Sequence, residues 1–279
     1  MVAILVILCI PAVIAANMLL FDDRSYYAAS LIIIVLSMIP FTLVFEGRKP
    51  QARELVVIAV MVAIAVAGRA AFFMVPQFKP VVAIVIIAGA ALGAESGFAV
   101  GALSGFVSNF IFGQGPWTPW QMFAYGIIGF FAGLIFYRLA ASIGAPGRDD
   151  AGFAEAAAGA PGRDGTASTG SHKCYDADRL GWNVRARKRV ARLRVLVLCV
   201  FGGTITFALY GILLDTAAAV MFSSGELTFP ALAATYLTGM PLNMVHGIAT
   251  VFFLGVLARP MIEKLERVKK KYGLLGAEA

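Results

Sequence analysis

Histidine is nearly missing from this chain, with two copies in 279 residues, and cysteine is scarce, with three. No H-E-x-x-H or C-x-x-C spacing occurs, so no metal is expected: a zinc site would lack its usual ligands. No G-x-x-x-x-G-K-[ST] occurs either, so the chain cannot hold ATP through a P-loop of its own. Charge is also thin, at 14% of residues against 60% hydrophobic. Soluble domains carry about 25% charged and about 45–50% apolar residues. This balance excludes an ordinary water-soluble fold and points to an all-α integral membrane protein.

Apolar runs long enough to read as spanning helices lie at 2–21, 27–46, 54–75, 80–94, 97–113, 121–138, 195–222 and 231–258. The expected count is eight helices, with the break between the fourth and fifth at "GAES" (93–96). The first run could also be read as a signal peptide, cleaved near "VIAAN" (13–17), but no Lys or Arg precedes it, so a retained helix is expected. Of the 23 cations, 20 fall in 47–53, 138–194 and 259–271. Cytoplasmic loops carry the excess of Lys and Arg. Both termini are therefore expected in the cytoplasm, in a multi-pass protein of the cell membrane.

The cations favour anionic lipid over nucleic acid, because no aromatic platform accompanies "RARKRVARLR" (185–194). Residues 144–178 repeat "GAPGRD" and hold few residues able to form a core, which reads as a disordered linker within a basic cytoplasmic segment, 141–194. In the tail, 259–279, Met261, Leu265, Val268 and Tyr272 recur at helical spacing opposite a charged face, the pattern of an interfacial amphipathic helix. The expected organisation is two N-terminal helices (1–52), four bundle helices (53–140), the linker, two last bundle helices (195–258) and the tail. Cys9 and Cys199 read as apolar fillers, and Cys174 as a free thiol.

Two small-residue rows stand out. Ala59, Ala63, Ala67 and Ala71 repeat every fourth residue, as do Gly89, Gly93, Gly97, Gly101 and Gly105. That spacing keeps each row near one helix face and allows close backbone approach. Packing inside the bundle is the expectation for the glycines; the alanines suit a smooth contact with a second subunit.

Polar side chains gather at the level expected to face outside: Arg69, Lys79, Asn109, Gln114, Gln121, Asp215, Glu226, Asn243 and His246. An Arg inside a spanning helix costs about 2.5–3.5 kcal/mol, so Arg69 is expected to pair with Asp215 or to share a polar ligand with it. Glu95 sits at an inner turn. Between two apolar runs lies "NFIFGQGPWTPWQM" (109–122), with two of the chain's three tryptophans. Trp117 and Trp120, stiffened by Pro116 and Pro119, read either as an interfacial belt or as a rim that stacks a flat ligand. A Ser104–His246 dyad of an intramembrane serine protease is the remaining catalytic reading, and a non-transport scaffold working through its basic segments is another.

Residues 65–80, "AVAGRAAFFMVPQFKP", and 105–136, "GFVSNFIFGQGPWTPWQMFAYGIIGFFAGLIF", resemble the substrate-binding S components of energy-coupling factor (ECF) vitamin transporters. The resemblance implies a six-helix bundle formed by the third to eighth helices, with the first two helices and the linker as departures. It implies a vitamin captured at the outward face by a subunit that is not an enzyme and needs no cofactor. It also implies a separate transmembrane coupling protein and two cytoplasmic ATPases, with the alanine row at 59, 63, 67 and 71 set against the coupling protein. Such a bundle topples in the membrane to deliver its ligand inward. The motif set looks most like the cobalamin type, and a riboflavin-like vitamin would use the same tryptophans.

Overall fold

A computed structural model describes residues 39, 51–115, 117–144, 192–222 and 228–273. Apart from Ile39, the two N-terminal runs lie outside the described residues, as do most of the 141–194 segment, Cys9, Pro116, Cys174 and Glu226. What is described is helical, with no strand among these residues. Helix α1 is Ala52–Ala71, α2 is Val81–Leu92, α3 is Ala94–Phe112 and α4 is Thr118–Gly144. Helix α5, Arg192–Met221, contains a π-helical turn at Thr206–Tyr210 and ends within the segment Gly211–Phe222. Helix α6 is Phe229–Tyr272. Helices α1, α4, α5 and α6 each contain a stretch long and apolar enough to cross a membrane.

Every residue of α2 is buried. A helix that is apolar all round belongs in a core, and α1, α3, α4 and α6 all pack around it. At about 18 Å it is too short alone for the roughly 30 Å hydrocarbon core. Its end is Gly93, with φ 100° and ψ 172°, a conformation that needs glycine. The chain turns there and continues as α3. This break falls at the expected "GAES" and is itself buried, which suits non-helical backbone held within a membrane protein.

Glycines set the closest seam. A Cβ built on Gly97 would lie 2.5 Å from the carbonyl oxygen of Gly129, and one on Gly101 would overlap the backbone of Tyr125. The α2–α3 row thus seats α4 within the bundle, as expected. Lipid tails are as apolar as leucine, so van der Waals fit rather than hydrophobic transfer holds such helices together. The alanine row points the other way: Ala59, Ala63, Ala67 and Ala71 are all exposed, beside exposed Val56, Val60 and Ile64. Helix α1 instead buries Ile58, Met61, Val62 and Ala65.

Three boundaries differ from expectation. Helix α1 stops at Ala71, four residues early, because Phe72 leaves helical geometry and Pro76 disfavours the helical region for Val75 before it. Arg69 is therefore in the last turn of α1, not two turns inside. Helix α4 starts at Thr118, so Trp120 and Gln121 belong to its first turn; Pro119 fits there because its missing amide would have no helical partner. The last span and the amphipathic tail are one continuous helix, α6. Its lower half buries Ile262 and Leu265 against the core, and Lys269 Nζ donates to the Ala91 carbonyl at 2.8 Å while lying 4.5 Å from the Tyr137 ring centroid.

That lysine caps the end of α2, where free carbonyls favour a cation. Lys269→Met is expected to lower stability by about 1 kcal/mol, read as a fall in the melting temperature of the purified protein. An unchanged melting temperature would show that the tail does not brace the bundle.

Candidate functional site

The two ends of the bundle differ in chemistry. One end carries Glu54, the α2–α3 break, the start of α5 and the end of α6. There Ser96 Oγ donates to Glu54 Oε1 at 2.9 Å, and Arg194 lies 3.6 Å from Glu266. At the opposite end the last turns of α1 and α3, the start of α4 and the facing halves of α5 and α6 meet around Trp117 and Trp120. All ten sequence-predicted binding residues lie on the elements that meet at this Trp117 end or on the α1–α2 and α3–α4 connections.

A single polar network organises it. Arg69 is buried, and its Nη1 donates to Ser108 Oγ and, at 2.9 Å, to Asn109 Oδ1. Asn109 Nδ2 donates to Thr118 Oγ1 at 3.0 Å and Gln121 Oε1 at 2.9 Å. Thr118 Oγ1 donates to Gln114 Oε1 at 2.9 Å, and the Gly115 amide donates back to Thr118 at 3.3 Å. The residues between α3 and α4 are thereby tied to α1. Asn109 orients this network through both ends of its amide.

Arg69 and Lys79 share one aromatic ring. The Arg69 guanidinium carbon lies 4.7 Å and Lys79 Nζ 5.8 Å from the Phe112 ring centroid, within cation–π range. Lys79 belongs to the loop after α1; burial holds its ammonium below the usual lysine range, and the Arg69 charge adds to that depression.

The expected Arg69–Asp215 pair does not form. Arg69 turns to α3, while Asp215 Oδ2 accepts from Asn243 Nδ2 at 2.7 Å across α5 and α6. The physical cause is the early end of α1, which places Arg69 beside the polar end of α3. Gly211 and Gly239 leave room for the Asp215–Asn243 contact: a Cβ on Gly239 would stand 2.5 Å from Asp215.

Between these groups stands an aromatic stack that the sequence reading missed. Tyr125 and Tyr210 lie face to face with centroids 5.2 Å apart and hydroxyls at 3.3 Å, and His246 meets Tyr210 edge-on at 4.6 Å. Tyr210 is the last residue of the π-helical turn, a feature frequent at functional sites. Gln121 lies beside its hydroxyl. Aromatic residues inside apolar runs look like core, so only their shared depth could have marked them.

The two tryptophans divide. Trp117 is exposed and covers Gly115. Trp120 is buried against Ala217, with Phe123, Leu213 and Met221 around it. The rim expected from both indoles is thus offered by Trp117 alone, and Trp120 braces α4 against α5. Several buried polar atoms here lack a protein partner: Arg69 Nε, Trp120 Nε1, Thr206 Oγ1 and His246 Nδ1. Ser104 Oγ and His246 Nδ1 are each without a hydrogen bond, so the two residues do not form a dyad. Among the described residues no group of three or more His, Cys, Asp or Glu is arranged to hold a metal.

Residues 49–146 match the family model of the ECF-type riboflavin transporter, S component. Over that segment the chain is similar to an S component. The match covers α1 to α4, including the Arg69–Asn109–Gln121 network and both tryptophans. It is to a non-enzymatic transport subunit and supports a vitamin transporter's substrate-binding role; it does not single out the cobalamin type. No curated protein and no solved structure matched the chain.

Proposed function

We propose that this chain is the substrate-capturing membrane subunit of an ECF-type importer, holding a flat heterocyclic vitamin at the Trp117 end. The observation that carries the reading is the aromatic and amide-lined end built from the very segment that matches the S-component family. Exposed Trp117 offers a face for stacking, and exposed Gln114 and half-buried Gln121 set amides beside it, held in place by Thr118 and Asn109. The exposed Trp117 face and the riboflavin-type match favour a flat ring over a corrinoid, which makes cobalamin the competing ligand.

The Trp117 end faces the exterior in this reading. Arg69 and Lys79 are the two described cations there, whereas Arg53, Arg192, Arg194, Arg259 and the end of α6 load the opposite end with positive charge. A chain without a P-loop depends on a membrane coupling protein and two ATPases, and the exposed alanine row on α1 is the face for the former.

Purifying the full chain and identifying any co-purified small molecule by mass spectrometry tests the reading. Trp117→Ala is expected to weaken binding of that molecule about fivefold, the loss of roughly 1 kcal/mol of stacking, with the melting temperature kept. A chain that retains no molecule, and binds none of a vitamin panel that includes riboflavin and cobalamin, would falsify it.

A further inference from the structure

Positive charge at the Trp117 end has no counter-ion among the described residues. Five described residues carry carboxylates: Glu54, Glu95, Asp215, Glu263 and Glu266. Four belong to the opposite end, and the fifth, Asp215, accepts from Asn243. Arg69 is only 7% exposed, its Nη1 bonds are to neutral oxygens, and its Nε has no partner. Lys79, half-buried, stands over the same Phe112 ring and adds a second charge. The ring attracts both cations but neutralises neither. A buried charge is normally paired, and breaking such a pairing is strongly unfavourable. Among the described residues the site is therefore one negative group short.

We propose that the captured ligand carries an anionic group, a carboxylate or phosphate, that accepts from Arg69 Nε and Lys79 Nζ beside Phe112. This rests on the reading of the Trp117 end as the substrate site. A guanidinium and an ammonium converging on one anion give charge-assisted hydrogen bonds, about twice as strong as neutral ones. The remaining contacts, Trp117 and the amides, recognise the ring. The arrangement separates an acidic heterocycle from a neutral one of the same shape.

The test uses the full chain in phosphatidylcholine nanodiscs, titrated with riboflavin, riboflavin 5′-phosphate, folate and cobalamin. The two flavins share a ring and differ by the phosphate; folate sets carboxylates on another flat ring. At least one anionic probe is expected to bind about ten- to a hundredfold tighter than riboflavin, the range of a hydrogen bond to a charged group. Lys79→Gln, in a loop outside the hydrogen-bonded Arg69 network, should reduce that preference about tenfold. Arg69→Gln should also reduce the preference, with thermal unfolding confirming that the variant is folded. Riboflavin or cobalamin binding as tightly as the anionic probes, unaffected by Lys79→Gln, overturns the anion while leaving the substrate site standing. Loss of the preference when phosphatidylglycerol is added assigns the cations to a lipid headgroup and also overturns it. No binding by any probe removes the substrate-site reading and this inference together.

Discussion

Leucine at Gly97 is expected to abolish the folded protein. A Cβ there would lie 2.5 Å from the Gly129 oxygen, 2.6 Å from the Gly89 Cα and 2.9 Å from the Gly129 carbonyl carbon. These are backbone atoms on both α2 and α4, and no rotamer change moves them aside. Overpacking against mobile side chains costs about 1–3 kcal/mol; here relief requires α3 and α4 to separate along their seam. Added apolar area offers little return in lipid. Gly255 provides the contrast, since a Cβ there meets nothing within 4 Å. Gly255→Ala should be neutral or gain up to about 1 kcal/mol from helix propensity. Size-exclusion profiles and melting temperatures of both variants in detergent check this. A monodisperse Gly97→Leu protein with the parent melting temperature would mean that the seam does not hold the bundle.

That seam was legible in the sequence because a spacing of four is a backbone property, and backbone periodicity survives without knowledge of neighbours. The break at "GAES" was legible as an interruption of the apolar run, but the positive φ of Gly93 was not. Side-chain partnerships were not. Arg69 and Asp215 looked like natural partners by charge and depth, yet a helix end four residues early turned Arg69 toward Ser108 and Asn109. Ser108 gave no signal of its own, because a lone serine in a membrane helix is unremarkable until an arginine is found beside it. Glu54 was passed over because it stands next to a basic loop, where a carboxylate normally stays in water; it is instead buried and receives Ser96. Tyr125 and Tyr210 are 85 residues apart, and only the fold brings their rings together. The tail's helical spacing is visible in the sequence, but Leu265 and Ile262 pack into the protein's own core, a choice that periodicity alone cannot make.

Bulky residues on the alanine face should uncouple capture from delivery. Ala63→Phe with Ala67→Phe adds two rings to an exposed stripe of α1, one that points away from the buried side carrying Met61, Ala65 and Arg69. Nothing in the Arg69–Asn109 network touches Ala63 or Ala67, so ligand affinity of the purified variant should stay within about twofold of the parent, since contacts on an opposite face contribute little coupling. Transport is another matter. If this smooth face is where the coupling protein bears on the bundle, two phenylalanines hold the helices apart by more than the small-residue packing distance, and the close approach that such faces exist to permit is lost. Uptake of labelled ligand by cells that also express the coupling protein and ATPases should therefore fall to the level of cells lacking the chain. Parent-level uptake by the double variant would move the coupling face off α1, and the search would pass to the exposed apolar residues Leu103, Phe106, Val107 and Phe110 of α3. Lost binding together with lost uptake would mean that α1 transmits strain from its outer face into the Arg69 turn. The double measurement therefore separates a docking surface from a misfolded helix.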